Sequence, residues 1–326
     1  MQNAPDCIYS CMNKVLCNKK ITMSEANELL NLDDKHTVKL AEAANTICRE
    51  MNGDSVDVEC LINAKSGNCA EDCTFCAQSG HYKTDITKYP FLSKETILDA
   101  AARAKNGGAS SFCLVCAWRE PTEENFDDVC NMVRTIKEDV GIDVNCSLGF
   151  LTEERAKRLK ELGVKRYNHN LEASKSFFDK ICSTHTYYDR VNTAKIVKSS
   201  GLQLCSGGIL GMGETRTQRL ELAFEASELE PEEFPVNILI PRPGTPLAGI
   251  QSLDPMEVIK TIAVYRFILP RSIIKIAGGR EVHLGNKQSL ALLGGANGII
   301  TGGYLTVGGY EPAKDIRMIR ELGLKA

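Results

Sequence analysis

Along this chain, short apolar or β-branched runs alternate with longer stretches in which apolar residues recur at every third or fourth position. The first pattern is that of a strand and the second that of an amphipathic helix. The runs fall at 57–63, 110–117, 142–148, 165–170, 201–206, 235–240, 272–277 and 297–302. Between them the helical period predicts Lys94 to Asn106, with Ile97, Leu98, Ala101 and Ala104 on one face. It also predicts Thr152 to Leu162, whose Thr-Glu-Glu-Arg opening is a capping box displaced by one residue. Further helices are expected at 123–138, 187–199, 216–229, 255–268, 286–294 and 312–322. Strand then helix, repeated eight times, predicts an α/β fold: a parallel (β/α)8 TIM-type barrel, with a doubly wound open sheet as the alternative.

The segment ahead of the first strand reads as helical, and no low-complexity linker, repeat or composition break divides the rest of the chain. The expected organisation is an N-terminal helical extension over 1–44 and one catalytic barrel over 45–326. A composition of 43% hydrophobic and 25% charged residues is ordinary globular usage. The net charge of −3, with basic residues scattered, gives no footprint for nucleic acid. No apolar run approaches the roughly 20 residues that span a bilayer. Met1 to Lys20 lacks the apolar core and cleavage site of a signal peptide, so a cytoplasmic location is expected.

Cysteine changes the picture. Fourteen thiols without an export signal point to a reducing compartment, where they persist for metal binding or catalysis. Cys7, Cys11, Cys17, Cys48, Cys60 and Cys130 fit no ligand pattern and are expected as small apolar residues. Directly after the first strand comes Cys69-x3-Cys73-x2-Cys76. Three thiolates this close can hold three irons of a [4Fe–4S] cube and leave the fourth iron open. S-adenosylmethionine (SAM) can chelate that iron, and the spacing, with Phe75 before the last cysteine, is that of a radical SAM enzyme. A structural zinc knuckle completed by His81 is the alternative, although zinc sites favour paired C-x2-C elements and a closed shell.

Two further segments add to this. Gly207 to Glu214 contains G-x-I-x-G-x-x-E after the fifth strand, where glycines allow close backbone approach and Ile209 offers an apolar face to an adenine ring. Tyr167-Asn168-His169-Asn170-Leu171-Glu172 ends the fourth strand with polar side chains that need either an internal network or a polar ligand. His169 is given no catalytic role.

Taken in order, the cysteine loop, Phe-Cys-x3-Ala-Trp at 112–118, Tyr-Asn-His-Asn-Leu at 167–171, Ser-Thr-His-Thr-Tyr at 183–187, Cys-Ser-Gly-Gly at 205–208, Pro-Val-Asn at 235–237 and Gly-Gly-Arg-Glu at 278–281 resemble the biotin synthase family over roughly residues 45 to 326. The resemblance implies a homodimeric barrel that converts dethiobiotin to biotin. Two SAM molecules would be cleaved per product, with an electron donor such as flavodoxin or ferredoxin, and a second iron–sulfur cluster would give up the sulfur. It implies that Asn170, Glu172 and Arg190 contact SAM, and that Asn168, Asn170 and Asn237 line the dethiobiotin site. Glu172 stands where the family usually has Asp.

By the same resemblance, Cys113, Cys146 and Cys205, on strands two, three and five, are the thiolates of the second cluster, usually [2Fe–2S] with an arginine from strand seven as fourth ligand. Here that position is Lys275, which is no conservative replacement, and Arg280 matches a different family arginine. Strand two carries an extra thiol, Cys116. Loss of the arginine and gain of a thiol suggest a site of four cysteines, with a four-iron cluster as one possibility, although alternation would put Cys113 and Cys116 on opposite faces. The rival readings are another radical SAM barrel acting on a different small molecule and a zinc-binding structural protein.

Overall fold

A computed structural model describes residues 4–306 and 308–326. The first three residues of the expected extension lie outside them. Strands β1 (Asp57–Lys65), β2 (Ser111–Cys116), β3 (Asp143–Ser147), β4 (Arg166–Asn168), β5 (Gln203–Cys205), β6 (Gly208–Leu210), β7 (Glu233–Ile238), β8 (Ile273–Ile276) and β9 (Gly298–Thr301) form one sheet. The ladders are all parallel and run β5-β4-β3-β2-β1-β9-β8-β7-β6. β5 also pairs with β7, through Cys205 and Glu233, and β6 continues that pairing from Gly208 opposite Val236. β5 and β6 are therefore two halves of one barrel strand interrupted at Ser206-Gly207, and the sheet closes with eight positions. The barrel expectation holds, and the open sheet is excluded. Gly207 and Gly208 sit within this broken strand and not in the loop after it.

Helices α1 (Ala4–Leu16), α2 (Met23–Leu30) and α3 (Thr37–Asn52) precede the barrel. The return helices are α4 (Lys94–Asn106), α5 (Glu123–Thr135), α6 (Glu153–Glu161), α7 (Lys175–Phe178), α8 (Tyr187–Ser199), α9 (Arg216–Ser227), α10 (Pro255–Ile268), α11 (Arg280–His283), α12 (Gln288–Leu292) and α13 (Pro312–Glu321). Thr152, Thr186 and Thr215 each cap a helix by accepting from the backbone N–H three residues on. At Thr152 that third residue is Arg155, so no reciprocal box forms. α3 runs through residue 44 and packs on α10, where Ile47 and Leu40 share a core with Val258 and Ile262. Buried Lys260 ties the two parts by donating to the Leu32 carbonyl (2.8 Å) and to Asp34 (2.6 Å). Among the described residues, no helix is long and apolar enough to cross a membrane.

Alternation divides every strand between the helix-facing shell and the lumen. Phe112, Leu114, Val144, Cys146, Tyr167 and Leu204 pack outward with Phe126, Val129 and Val133 of α5. The lumen residues of the opposite parity make a buried ionic floor. Lys275 Nζ lies 2.9 Å from Asp57, 2.9 Å from Glu233 and in a shorter contact with Glu59. Arg166 pairs with Glu233 and, at 3.4 Å, with Asp57. Asn145 donates to Glu59 (3.0 Å) and Ser111 (3.2 Å). Burial works to raise the Asp57 carboxyl, but Lys275 and Arg166 outweigh it and hold the group at about 2.

Removing one partner of a buried ion pair is costly because the other charge is left behind. Lys275→Met is expected to destabilise the metal-free protein by about 3–5 kcal/mol, measured by urea unfolding near neutral pH. A carboxylate with a depressed folded pKa contributes stability above its unfolded value of about 4, and that contribution is lost as pH falls through the folded value. The gap between wild type and Lys275→Met should therefore narrow below about pH 4, and a gap that widens there would contradict the pairing.

Candidate active site

At the C-terminal end of β1 the chain turns through Gly67 (φ 75°) and Asn68 (φ 53°) into the cysteine loop. Backbone bonds fold this loop on itself: Cys69 N donates to Gln78 O (3.0 Å), Gly80 N to Cys69 O (2.7 Å) and Cys76 N to Cys73 O (2.9 Å). The Gln78 side chain accepts from Gly67 N (3.2 Å) and Asn63 (3.0 Å), fixing the loop to the strand. Cys69, Cys73 and Cys76 line one cavity and form no disulfide. Burial raises Cys69 and pushes Cys76 to about 11, while a hydrogen bond with Cys182 and burial raise Cys73. These thiols are neutral until a cation displaces their protons, as metal ligands must. His81, the candidate fourth zinc ligand, stands apart with Nε2 2.9 Å from the Ala70 carbonyl.

The two acidic residues inside the loop dock it onto the segment 182–190. Asp72 accepts from the Ser183 hydroxyl and from the backbone N–H groups of Ser183 (2.9 Å) and Thr184 (3.1 Å), and these bonds, the hydroxyl's foremost, outweigh burial and hold its carboxyl far below the usual range. Glu71 takes Arg119 (2.7 Å) on one oxygen and His185 and Thr184 on the other. Arg190 then spans the cavity wall. It donates to His185 Nε2 (2.9 Å) and to the Asn170 carbonyl (2.9 Å), and lies 3.9 Å from Cys73 Sγ and 3.7 Å from Glu172. Cys182 Sγ is also 3.9 Å from Cys73 Sγ.

Opposite the cysteines stand the residues that close β4. Asn170 accepts from Gly207 N (3.1 Å), and Glu172, at φ 68°, bridges to Gly208 through backbone bonds. The approach is too close for side chains: a Cβ on Gly207 would lie 2.1 Å from the Pro235 carbonyl, and one on Gly208 2.5 Å from that of Glu172. Glu172 Oε2 is buried without a hydrogen-bond partner, and burial pushes the carboxyl up. Asn168 Oδ1 and His169 Nε2 are likewise orphaned, and burial drives the imidazole down. Orphaned buried polar atoms converging on one cavity are what a polar ligand would satisfy.

A second cavity adjoins the first, lined by Ile209, Asn237, Arg242, Gly278 and Tyr304. It shares Phe75, Val115, Ser147, Asn168, Asn170 and Leu305 with the cavity over the cysteines. Asn237 lines it but is mostly engaged, donating to the Gly208 carbonyl (3.2 Å) and accepting from Gly278 N (3.0 Å). Glu214 of the glycine-rich motif is a loop clamp, accepting from Gly211 N (2.9 Å) and Met212 N (2.7 Å) and pairing with Arg219.

The expected second-cluster ligands are not brought together. Cys113 and Cys205 face the lumen beside the same groups, Glu59, Glu233 and Lys275. Cys146 belongs to the outer shell, among Phe126, Val129 and Cys130, and the residue that β3 turns inward is Asn145. Cys116 ends β2 beside the same apolar cluster and lines the cavity over Cys69, Cys73 and Cys76, a layer away from Cys113. Lys275 is bound by three carboxylates. The three-thiolate site does not fit because Cys146 lies on the helix-facing side of its strand, and the four-cysteine site fails with it, while Cys116 opens toward the first cysteine loop. Among the described residues, the potential ligand sets converging within 4.8 Å are Cys73, Cys182 and His185, and Asp57, Glu59 and Glu233.

Residues 64–226 match the family model "Radical SAM superfamily" and residues 235–325 match "Biotin and Thiamin Synthesis associated domain". The fold resembles methylornithine synthase (PylB), with a TM-score of 0.86 at 21% identity over 97% of this chain and 96% of that one. It also resembles the FeFe-hydrogenase maturase HydG from Carboxydothermus hydrogenoformans, with a TM-score of 0.82 at 17% identity over 97% and 78%. A parallel barrel carrying the three-cysteine loop at its C-terminal mouth is a radical SAM architecture. The chain is 52% identical to the biotin synthase of Nitrosopumilus maritimus (98% of each chain) and 53% identical to that of Cenarchaeum symbiosum (98% and 99%). It belongs to the biotin synthase family.

Because Asp72 is the anchor between the loop and residues 183–184, Asp72→Ala should remove its bonds to two partly accessible backbone N–H groups and cost about 0.5–1.5 kcal/mol in thermal or urea unfolding. The same variant should hold less iron after reconstitution than wild type. Full iron retention with unchanged stability would show that the loop keeps its geometry without that anchor.

Proposed function

We propose that Cys69, Cys73 and Cys76 hold a [4Fe–4S] cluster, that Asn170, Glu172 and Arg190 bind SAM against it, and that dethiobiotin occupies the adjoining cavity for conversion to biotin. The observation that carries this reading is the shared wall of the two cavities, with Asn168 and Asn170 facing both. When bound, the cluster and SAM supply a 5′-deoxyadenosyl radical, which takes hydrogen from almost any C–H group within reach. The chain's own residues must therefore set which C–H is near. Asn168 and Asn170 offer amides, which position a polar substrate without introducing a base, and the buried floor beneath keeps bulk water from entering below.

Glu172 suits a ribose. Its free Oε2 can accept from a hydroxyl, and the neighbouring Arg190 keeps a positive charge where a carboxylate group of SAM would need one. Phe75 gives an apolar wall to the same cavity, and Ile209, whose backbone N–H donates to the Glu172 carbonyl, adds apolar surface where the second cavity begins. By family resemblance, the electron comes from a small redox protein such as flavodoxin or ferredoxin, and the active form is a homodimer.

Each of Cys69→Ala, Cys73→Ala and Cys76→Ala is expected to abolish SAM cleavage, measured as 5′-deoxyadenosine after anaerobic reconstitution. A near-wild-type rate in any one of them would remove the basis of the assignment. Glu172→Ala should weaken SAM by about 1–3 kcal/mol, the worth of a buried hydrogen bond, with dethiobiotin affinity unchanged. Asn168→Ala should do the reverse, and an exchange of these two patterns would reverse the cavity assignment.

A further inference from the structure

The cavity that adjoins the cysteine site is neutral over most of its wall and carries one cation, Arg242, beyond the end of β7. We infer that Arg242 binds the carboxylate of dethiobiotin, so that the acid end of the substrate faces the barrel mouth and the ureido ring faces the asparagines. The inference rests on the dethiobiotin reading of this cavity, and its test separates the two.

Two charged residues, Glu233 and Arg242, are among the described residues that line the cavity. Glu233 belongs to the floor, where it is buried and paired with Lys275 and Arg166. Arg242 follows Asn237 by five residues on the segment that leaves β7. Its Nε is buried and has no hydrogen-bond partner, and its Nη2 meets Asp85, itself exposed, at the long distance of 3.4 Å. A buried guanidinium N–H without a partner, on a residue that lines a cavity, is what an anionic group of a ligand would satisfy.

The backbone that presents this guanidinium is fixed. Thr245 donates to the Arg242 carbonyl through both its N (3.2 Å) and its Oγ1 (2.8 Å). Gly244, at φ 86°, lets the turn approach the segment after the cysteine loop, where a Cβ would lie 2.0 Å from the Lys83 carbonyl. Thr84, the next residue, donates to the carbonyl of Ala77 (2.6 Å), which lines the same cavity. The turn that carries Arg242 is thus seated on the exit of the cysteine loop.

Electrostatics then choose between the two ways in which dethiobiotin can lie. With its acid end down, the carboxylate would leave water beside Glu233, whose cations are already shared with Asp57 and Glu59. With its acid end up, it meets a planar fork of donors that matches a carboxylate, at a partly exposed rim. The neutral ureido ring, which both donates and accepts, then lies toward Asn168, Asn170 and Asn237, whose amides do the same. This orientation also brings the ring end, and not the acid end, to the wall shared with the SAM cavity.

The experiment uses the reconstituted, SAM-loaded protein without reductant and measures binding of dethiobiotin and of its uncharged methyl ester by anaerobic equilibrium dialysis. Wild type should prefer the acid. Arg242→Met, which keeps the apolar stem, should weaken the acid by about 10- to 100-fold, as loss of a charge-assisted hydrogen bond does, and leave the ester and SAM unchanged. Arg242→Lys should regain part of the loss. Asp85→Asn should bind the acid at least as well as wild type, since it removes a competitor for the guanidinium. Equal weakening of acid and ester in Arg242→Met, or a loss in Asp85→Asn as large as in Arg242→Met, would reduce Arg242 to a structural role and overturn the inference. Unchanged acid binding in Arg242→Met, with wild type binding dethiobiotin, would overturn the inference and leave the cavity reading standing. A wild type that binds SAM but neither probe would overturn the cavity reading and the inference with it.

Discussion

The ammonium of Lys275, held among Asp57, Glu59 and Glu233, is the interaction on which this barrel rests. A barrel lumen is usually filled by branched apolar side chains. Here its lower end is filled by charge, with Arg166 as the second cation and Asn145 and Ser111 as neutral donors and acceptors. Such a network contributes little beyond what apolar packing would give, and its loss in part costs far more than its presence gains. What it provides is closure with fixed positions. Lys275 ties β8 to β1 and β7 directly, and Arg166, Asn145 and Ser111 join β4, β3 and β2 to the same carboxylates, so the registers of these strands are fixed together below the cavity.

The mouth is organised differently, by backbone. Gly207 and Gly208 let the broken strand approach Pro235 and Glu172 to distances no side chain allows, and this is what turns the end of β4 inward. The cysteine loop is set against it by Asp72 and Glu71, whose bonds to 183–185 carry the positional order from the loop to Arg190. Arg190 touches both sides, near Cys73 and bonded to Asn170. Rigid backbone contacts with a bridging guanidinium leave few ways for the two walls to drift apart, which chemistry by a short-lived radical requires.

Much of this is legible in the sequence, because strands and helices have different periods and the chain keeps them apart. All eight barrel positions fall within the predicted runs to a few residues, and the three-cysteine loop leaves the first strand at the barrel mouth, as its place in the chain implies. The departures in the lumen have a common cause, which is parity. Residue type alone puts Cys146 in the lumen as the cysteine of its strand, yet Val144, Cys146 and Leu148 are the apolar alternates of β3, and Asn145 and Ser147 the polar ones. The same count puts Cys116 with Phe112 and Leu114. The roles of Glu71, Asp72, Cys182 and His185 are not legible, since their partners are more than a hundred residues distant in sequence and only closure of the barrel brings them together. Glu59, Glu233 and Asp57 each look like an exposed strand carboxylate until the same closure places a lysine between them.

The floor also shows why its departures from the family belong together. Three carboxylates and a compact ammonium match because the ammonium is a point charge whose donors diverge toward three separate oxygens. A guanidinium in the same place is larger and planar, with five donors fixed in one plane, and it would need the three carboxylates rearranged around that plane. Lysine at 275 fits the spacing of the three carboxylates as they stand. The third-strand residue obeys the same logic, since Asn145 supplies the donor that Glu59 needs and a thiol in its place would not. Once the floor is acidic, a cation and an amide are the residues that close it.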